Sequence, residues 1–286
     1  MTAPYLFLLP ATIYFLVFWI GPFLFTIGIS MTDWTILGEL SKVNFSGVSN
    51  FTSLFANDPI FLTAVRNTFT YAVVNTPLVL VLGMGLALLL MSSFIGKTIL
   101  RTAAFLPYGT SVVALAIIWR FIYSPTPSGV LNSILSWVGI PNQGWLSSST
   151  LALPSIMLMD VWKWTGYTMV IFVVGMSNIP TMYYEAAQVD GANSWDCFWQ
   201  ITIPLLRPTF LFSIVTGTIG AFQVFAQVYV MTRGGPANAT EVVVHYMYLV
   251  AFKWLHMGSA SAMAIVLLAF IMIIVLIENK LLQEKD

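Results

Sequence analysis

Six long apolar runs, separated by shorter polar intervals, set the pattern of this chain. They fall at residues 4–31, 68–91, 99–122, 151–176, 205–231 and 260–277. Each approaches or exceeds the roughly 20 apolar residues that a helix needs to cross the hydrocarbon of a bilayer. The runs are continuous rather than alternating, and a chain in lipid must satisfy its own backbone polar groups, so the pattern predicts spanning helices. The expected fold is all-α and polytopic, one membrane domain over residues 1–286, with six crossings and both termini on the same face. The first run is too long for a secretory leader and lacks its basic lead and small-residue cleavage site, so it reads as a retained span. Pro10 and Pro22 are expected to kink it.

The polar intervals carry their own signals. Residues 32–67, with Asp33, Lys42, Asn44, Asn50 and Asp58, are too polar to cross. Residues 123–150 combine Pro125, Pro127, Gly129, Pro141 and Gly144 with Leu131, Ile134, Leu135 and Val138 at helical spacing. That predicts a short amphipathic helix lying on the membrane surface. Residues 232–236 form a tight loop, and the apolar-aromatic stretch 242–254 is too short for a seventh span. Between the fourth and fifth runs lies the most organised interval, Asn178 to Pro208. Thr181 is placed to cap a helix centred on Glu185, Ala186, Ala187 and Gln188. Gly191 would end that helix in a left-handed conformation. Asn193 or Ser194 would cap a second helix, with Asp196 in its first turn. Pro204 and Pro208 frame entry to the fifth run. The prediction is a helix–turn–helix knob outside the bilayer, the coupling loop 178–204.

Composition narrows the function. Hydrophobic residues make up 58% of the chain and charged residues 8%, against about 25% charged in soluble domains. The 11 basic and 11 acidic residues cancel, so no nucleic-acid partner is expected. Cys197 has no second cysteine to pair with, and His245 and His256 have no carboxylates at ligand spacing, so no metal site is expected. No GxxxxGK[ST] run and no nucleophile–base pattern occurs, which argues against ATP binding or catalysis by this chain. Basic residues do not set the orientation: Lys97, Arg101, Arg207, Lys280 and Lys285 lie on the knob side, against Lys42, Arg66, Arg120, Lys163, Arg233 and Lys253 opposite.

The knob supplies a resemblance. Glu185-Ala186-Ala187, then three residues and Gly191, then nine residues and Ile201, any residue, Ile203 and Pro204, resembles the EAA loop of ABC importer permeases, with Ile203 where leucine is usual. The opening Tyr5 to Pro10, the stretch from Asn50-Phe51 to Arg66-Asn67-Thr68, residues 232–236, and Met257-Gly258 with Ala260 and Ala262 are similar to the carbohydrate-uptake branch, in its first-permease type. The resemblance implies a type I importer assembled from this chain, a second and different permease, two ATPase subunits that carry ATP and Mg, and an extracytoplasmic solute-binding protein. It places the chain in a bacterial or archaeal cytoplasmic membrane with both termini cytoplasmic. It also implies that Glu185 meets a basic group of an ATPase, while Ala186, Ala187, Gly191 and Pro204 shape a close-fitting knob.

Polar side chains within a span tend to face a pathway or a partner helix. Gln223 and Gln227, four apart, would share a helix face, and Trp162 offers a flat apolar surface to a sugar ring, with Gly166 leaving room beside the helix. Similarity to maltose-type permeases implies a sugar path at Trp162, Thr165, Gly166, Met169 and Gln223; Trp162 and Val224 stand where that type has amides. The glutamines equally suit hydrogen bonds between helices, and Trp162 with Trp164 equally suits an interfacial belt. Asp160 and Lys163 are spaced to pair near the outer end of the fourth span, and Arg66 and Arg120 to snorkel to headgroups. The alternative function is a secondary, ion-coupled transporter. It calls for carboxylates in mid-span, and here the acidic residues read as lying at or near span ends.

Overall fold

The computed structural model describes residues 3–37, 43–92, 94–127 and 129–282; Lys42 and Lys285 lie outside them. Among the described residues, five helices are long and apolar enough to cross a bilayer: Phe7–Ser30, Pro59–Met91, Ala152–Ser177, Arg207–Met231 and Met257–Leu282. A bent pair, Lys97–Gly109 and Val112–Ile122, is the sixth candidate span. In chain order these six are the first to sixth spans.

Three spans depart from the sequence pattern. The second starts at Pro59 rather than residue 68. Asp58 caps it, accepting from the Phe61 amide at 2.9 Å, and Pro59 occupies the first turn, where its missing N–H costs nothing. The third is not one helix: its halves meet at 104°. The helix stops at Gly109, and Thr110 and Ser111 are extended, with ψ of 144° and 130°. The fifth breaks after Phe222 and resumes at Ala226. Gln223 and Gln227 therefore do not share one helix face.

The knob is two short helices, Thr181–Val189 and Ser194–Cys197. Thr181 is not the cap of the first; Pro180, extended at ψ 134°, holds that position with no side-chain bond, and Thr181 is already helical. Gly191 is left-handed at φ +84°. Asn193 caps the second helix: its side chain accepts from the amides of Trp195 and Asp196, and Asp196 accepts in return from the Asn193 amide at 3.0 Å. The predicted surface helix is present at Val130–Trp137. Asn132, fully buried within it, ties the loop together by accepting from the Gln143 amide and the Trp145 indole, both at 3.0 Å.

Two apolar clusters hold the bundle. The outer one gathers Phe61, Tyr71, Tyr123, Ile156, Phe222 and Met263. The inner one, built on Met84, Leu90, Met169, Phe172 and Leu206, also receives Tyr184, Phe198, Ile201 and Ile203 from the knob and its exit. Tyr184 and Thr202 hydroxyls lie 2.9 Å apart, joining the two arms of the knob. The knob is thus packed into the ends of the second, fourth and fifth spans rather than tethered to them.

Candidate functional site: a membrane cavity and a coupling knob

A cavity of about 580 Å³ opens between the second, third, fourth and fifth spans. Its base is Asp160, nine-tenths hidden from solvent on the fourth span. One carboxylate oxygen accepts from Asn75 Nδ2 at 2.9 Å and the other from Gln227 Nε2 at 2.8 Å. This side chain joins the second, fourth and fifth spans through hydrogen bonds to both of its oxygens. One expectation is corrected here. Asp160, near the start of the helix Ala152–Ser177, does not pair with Lys163. Lys163 instead donates to the carbonyls of Pro107, Tyr108 and Thr110 at the break in the third span, the first of which also accepts from the Thr110 amide. Three carbonyl acceptors satisfy all three ammonium hydrogens. Arg120 also finds a protein partner, the Val230 carbonyl at 3.3 Å.

One wall of the cavity is aromatic. Tyr108 stacks on Tyr167 with centroids 4.6 Å apart, and Trp164 sits edge-on to Tyr108 at 5.4 Å. Asn75, Thr76 and Ser213 also belong to the lining, though their Oδ1, Oγ1 and Oγ atoms are themselves buried and have no hydrogen-bond partner. An unpaired buried polar atom costs about 1–3 kcal/mol. The fifth-span wall is thinned by Gly217 and Gly220; a Cβ on Gly220 would meet nothing within 4 Å.

Of the residues expected along a sugar path, Gln223 and Gln227 line this cavity, brought together by the break rather than by a shared face. The other four lie elsewhere. Trp162 is 44% exposed and packs on Trp119 at 5.6 Å. Thr165 donates to its own helix at the Val161 carbonyl. Gly166 does not leave room: its missing Cβ is where the Ala104 carbonyl of the third span passes. Met169 is fully buried in the inner cluster. The sequence reading missed Asn75, Thr76, Tyr108, Tyr167 and Ser213. Asn75 and Thr76 sit together inside a long apolar run, a signal that was there to be used.

The knob carries Glu185 and Ala186 exposed, with Ala187 half-buried behind them. Around them stand uncovered apolar side chains, among them Met182, Tyr183, Val189, Trp195 and Trp199. Such a cluster on a compact helical pair is the composition of a protein contact.

Residues 79–285 match the model of a family described as binding-protein-dependent transport system inner membrane component. The chain belongs to that family. Among curated relatives of this inner membrane component, the arabinooligosaccharides transport system permease protein AraP of Bacillus subtilis is 34% identical, over 98% of this chain and 88% of its own length. The lactose transport system permease protein LacF of Rhizobium radiobacter is 35% identical, over 90% of this chain and 86% of its own. A solved bacterial alginate ABC transporter, in complex with alginate pentasaccharide-bound periplasmic protein, superposes with a TM-score of 0.83 at 26% identity, covering 97% of this chain and 93% of that one. The inner membrane component described here therefore has a transporter fold in which the cavity lies between spans and the knob lies at their ends.

Proposed function

We propose that this chain is one of two unlike permease subunits of an ATP-driven importer for a sugar or oligosaccharide. The reading is carried by the cavity, whose lining combines the aromatic rings of Tyr108, Trp164 and Tyr167 with the polar residues Asn75, Thr76, Ser213 and Gln223. A glycan ring presents an apolar face to an aromatic surface and hydroxyls at its rim, which suits a lining of mixed aromatic and polar side chains. Saccharides are also the solutes named for the relatives and the solved neighbour. Gln223 contributes an amide to the lining.

The chain binds no nucleotide itself; ATP and Mg act on two partner ATPase subunits. The knob at Glu185, Ala186, Ala187 and Gly191, with Pro204 at its exit, docks on one of them, and a basic group there meets Glu185. Because Tyr184, Phe198 and Ile201 pack into the inner cluster with Met169, Phe172 and Leu206, a displaced knob carries the fourth and fifth spans with it. The cavity then receives solute from an extracytoplasmic binding protein and releases it inward. Both termini lie in the cytoplasm of a bacterial or archaeal cell. Glu185→Lys tests the coupling: the ATPase recovered with the purified chain should fall at least about tenfold, the loss of one desolvated charge contact. Undiminished recovery together with full ATP-driven uptake would remove the coupling role of Glu185.

A further inference from the structure

We infer that Lys163 is a positioning residue for solute recognition: it clamps the break in the third span and thereby holds Tyr108 in the aromatic wall of the cavity. The inference rests on the proposal that the cavity binds a glycan. A helix that ends inside a bilayer leaves its last carbonyls without partners and without water to take their place. Here the first half of the third span, Lys97–Gly109, ends against the middle of the bundle. Lys163, 6% exposed on the adjacent fourth span, donates to the carbonyls of Pro107 at 3.2 Å, Tyr108 at 2.9 Å and Thr110 at 2.7 Å. A cation at this position also faces the negative end of the helix dipole.

The three carbonyls belong to the end of the first half-span and to Thr110 in the turn, so the ammonium ties that end to the fourth span where the 104° bend begins. The Tyr108 carbonyl that Lys163 holds belongs to the residue whose ring stacks on Tyr167 and meets Trp164. The Lys163 Nζ lies 5.8 Å from that ring's centroid, within cation–π range. One turn along, Gly166 lets the Ala104 backbone of the same half-span press against the fourth span. Lys163 does not line the cavity itself. Its effect on a guest passes through the backbone of residues 107–110 to the Tyr108 ring.

The test uses the assembled importer in nanodiscs and vesicles, with Lys163→Met, Lys163→Arg and Lys163→Gln. Spin labels at Ile99→Cys and Phe121→Cys, both exposed, report the bend in an otherwise cysteine-free complex. In Lys163→Met the label distance should lengthen by about 5 Å or more, given the 1.5 Å rise per residue of each half. Lys163→Arg should keep the original distance, and Lys163→Gln, an uncharged donor, should lengthen it less. Uptake of labelled lactose, arabinotriose and an alginate trisaccharide gives the second readout. For whichever is carried, Lys163→Met should raise the half-saturating concentration about tenfold, the equivalent of 1.4 kcal/mol, with the maximum rate within about threefold, and Lys163→Arg should restore it. Tyr108→Ala should raise it similarly, and the double variant should be no worse than Tyr108→Ala alone. An unchanged label distance in Lys163→Met, or full additivity with Tyr108→Ala, overturns the clamp. If none of the three glycans is carried, the glycan reading fails while the label distances still decide the clamp.

Discussion

The first and fourth spans are of similar length, yet the bundle treats them oppositely. Along the first, 6% of the most apolar stretch is buried by protein; along the fourth, 67% is. The first is the more apolar of the two and leaves Phe7, Phe18 and Trp19 uncovered. The fourth carries Ser155, Asp160, Lys163, Thr165 and Thr168, all buried. In water the rule runs the other way, with charged side chains almost never buried. In a bilayer the lipid is as apolar as any core, so apolarity does not draw a helix inward. What draws the fourth span inward is the need of its polar groups for partners and the close approach its glycines permit.

This contrast can be broken at single residues. Asp160→Ala strands the amides of Asn75 and Gln227, and the assembled protein should lose about 2–3 kcal/mol of stability, measured by thermal or denaturant unfolding in nanodiscs, along with solute uptake. A loss under about 0.5 kcal/mol would mean that the three spans are held by packing alone. Gly166→Ala places a methyl on the Ala104 carbonyl and should cost about 1–3 kcal/mol by overpacking. Its counterpart on the first span is Gly28→Ala, where a Cβ would meet nothing within 4 Å. That change should stay within about 0.5 kcal/mol of the parent. Smallest of all, Phe18→Leu on the uncovered face should leave both stability and uptake unchanged within error. A marked loss of assembly from Phe18→Leu would identify that face as a protein contact rather than a lipid one.

The third span shows where pattern reading stops. Residues 99–122 form one apolar run, and nothing in their periodicity marks a 104° turn. Pro107 and Gly109 precede the break, but both residue types are tolerated inside membrane helices. At the bend Lys163, on another span, donates to three carbonyls. The same holds for Gln223 and Gln227: their spacing suggested a shared face, but the helix opens between them, and Gln227 turns to Asp160. Trp162, Thr165, Gly166 and Met169 were placed by analogy along one helix, whereas the cavity draws on four spans. The local devices of the knob were more legible. The left-handed Gly191 and the Asn193–Asp196 capping box depend on neighbours within a few residues, so composition at those positions was enough. Thr181 failed as a cap because Pro180, immediately before it, already held the extended position.

The sequence by itself determined the class of the molecule: helices in lipid, the knob between the fourth and fifth, and the family to which the chain belongs. Those follow from runs of apolar residues and from contiguous motifs, both of which are local. Only the tertiary structure decided which polar residues meet. Asn75, Asp160 and Gln227 are far apart in the chain and become neighbours because a buried carboxylate in lipid must find donors on whatever helix lies beside it.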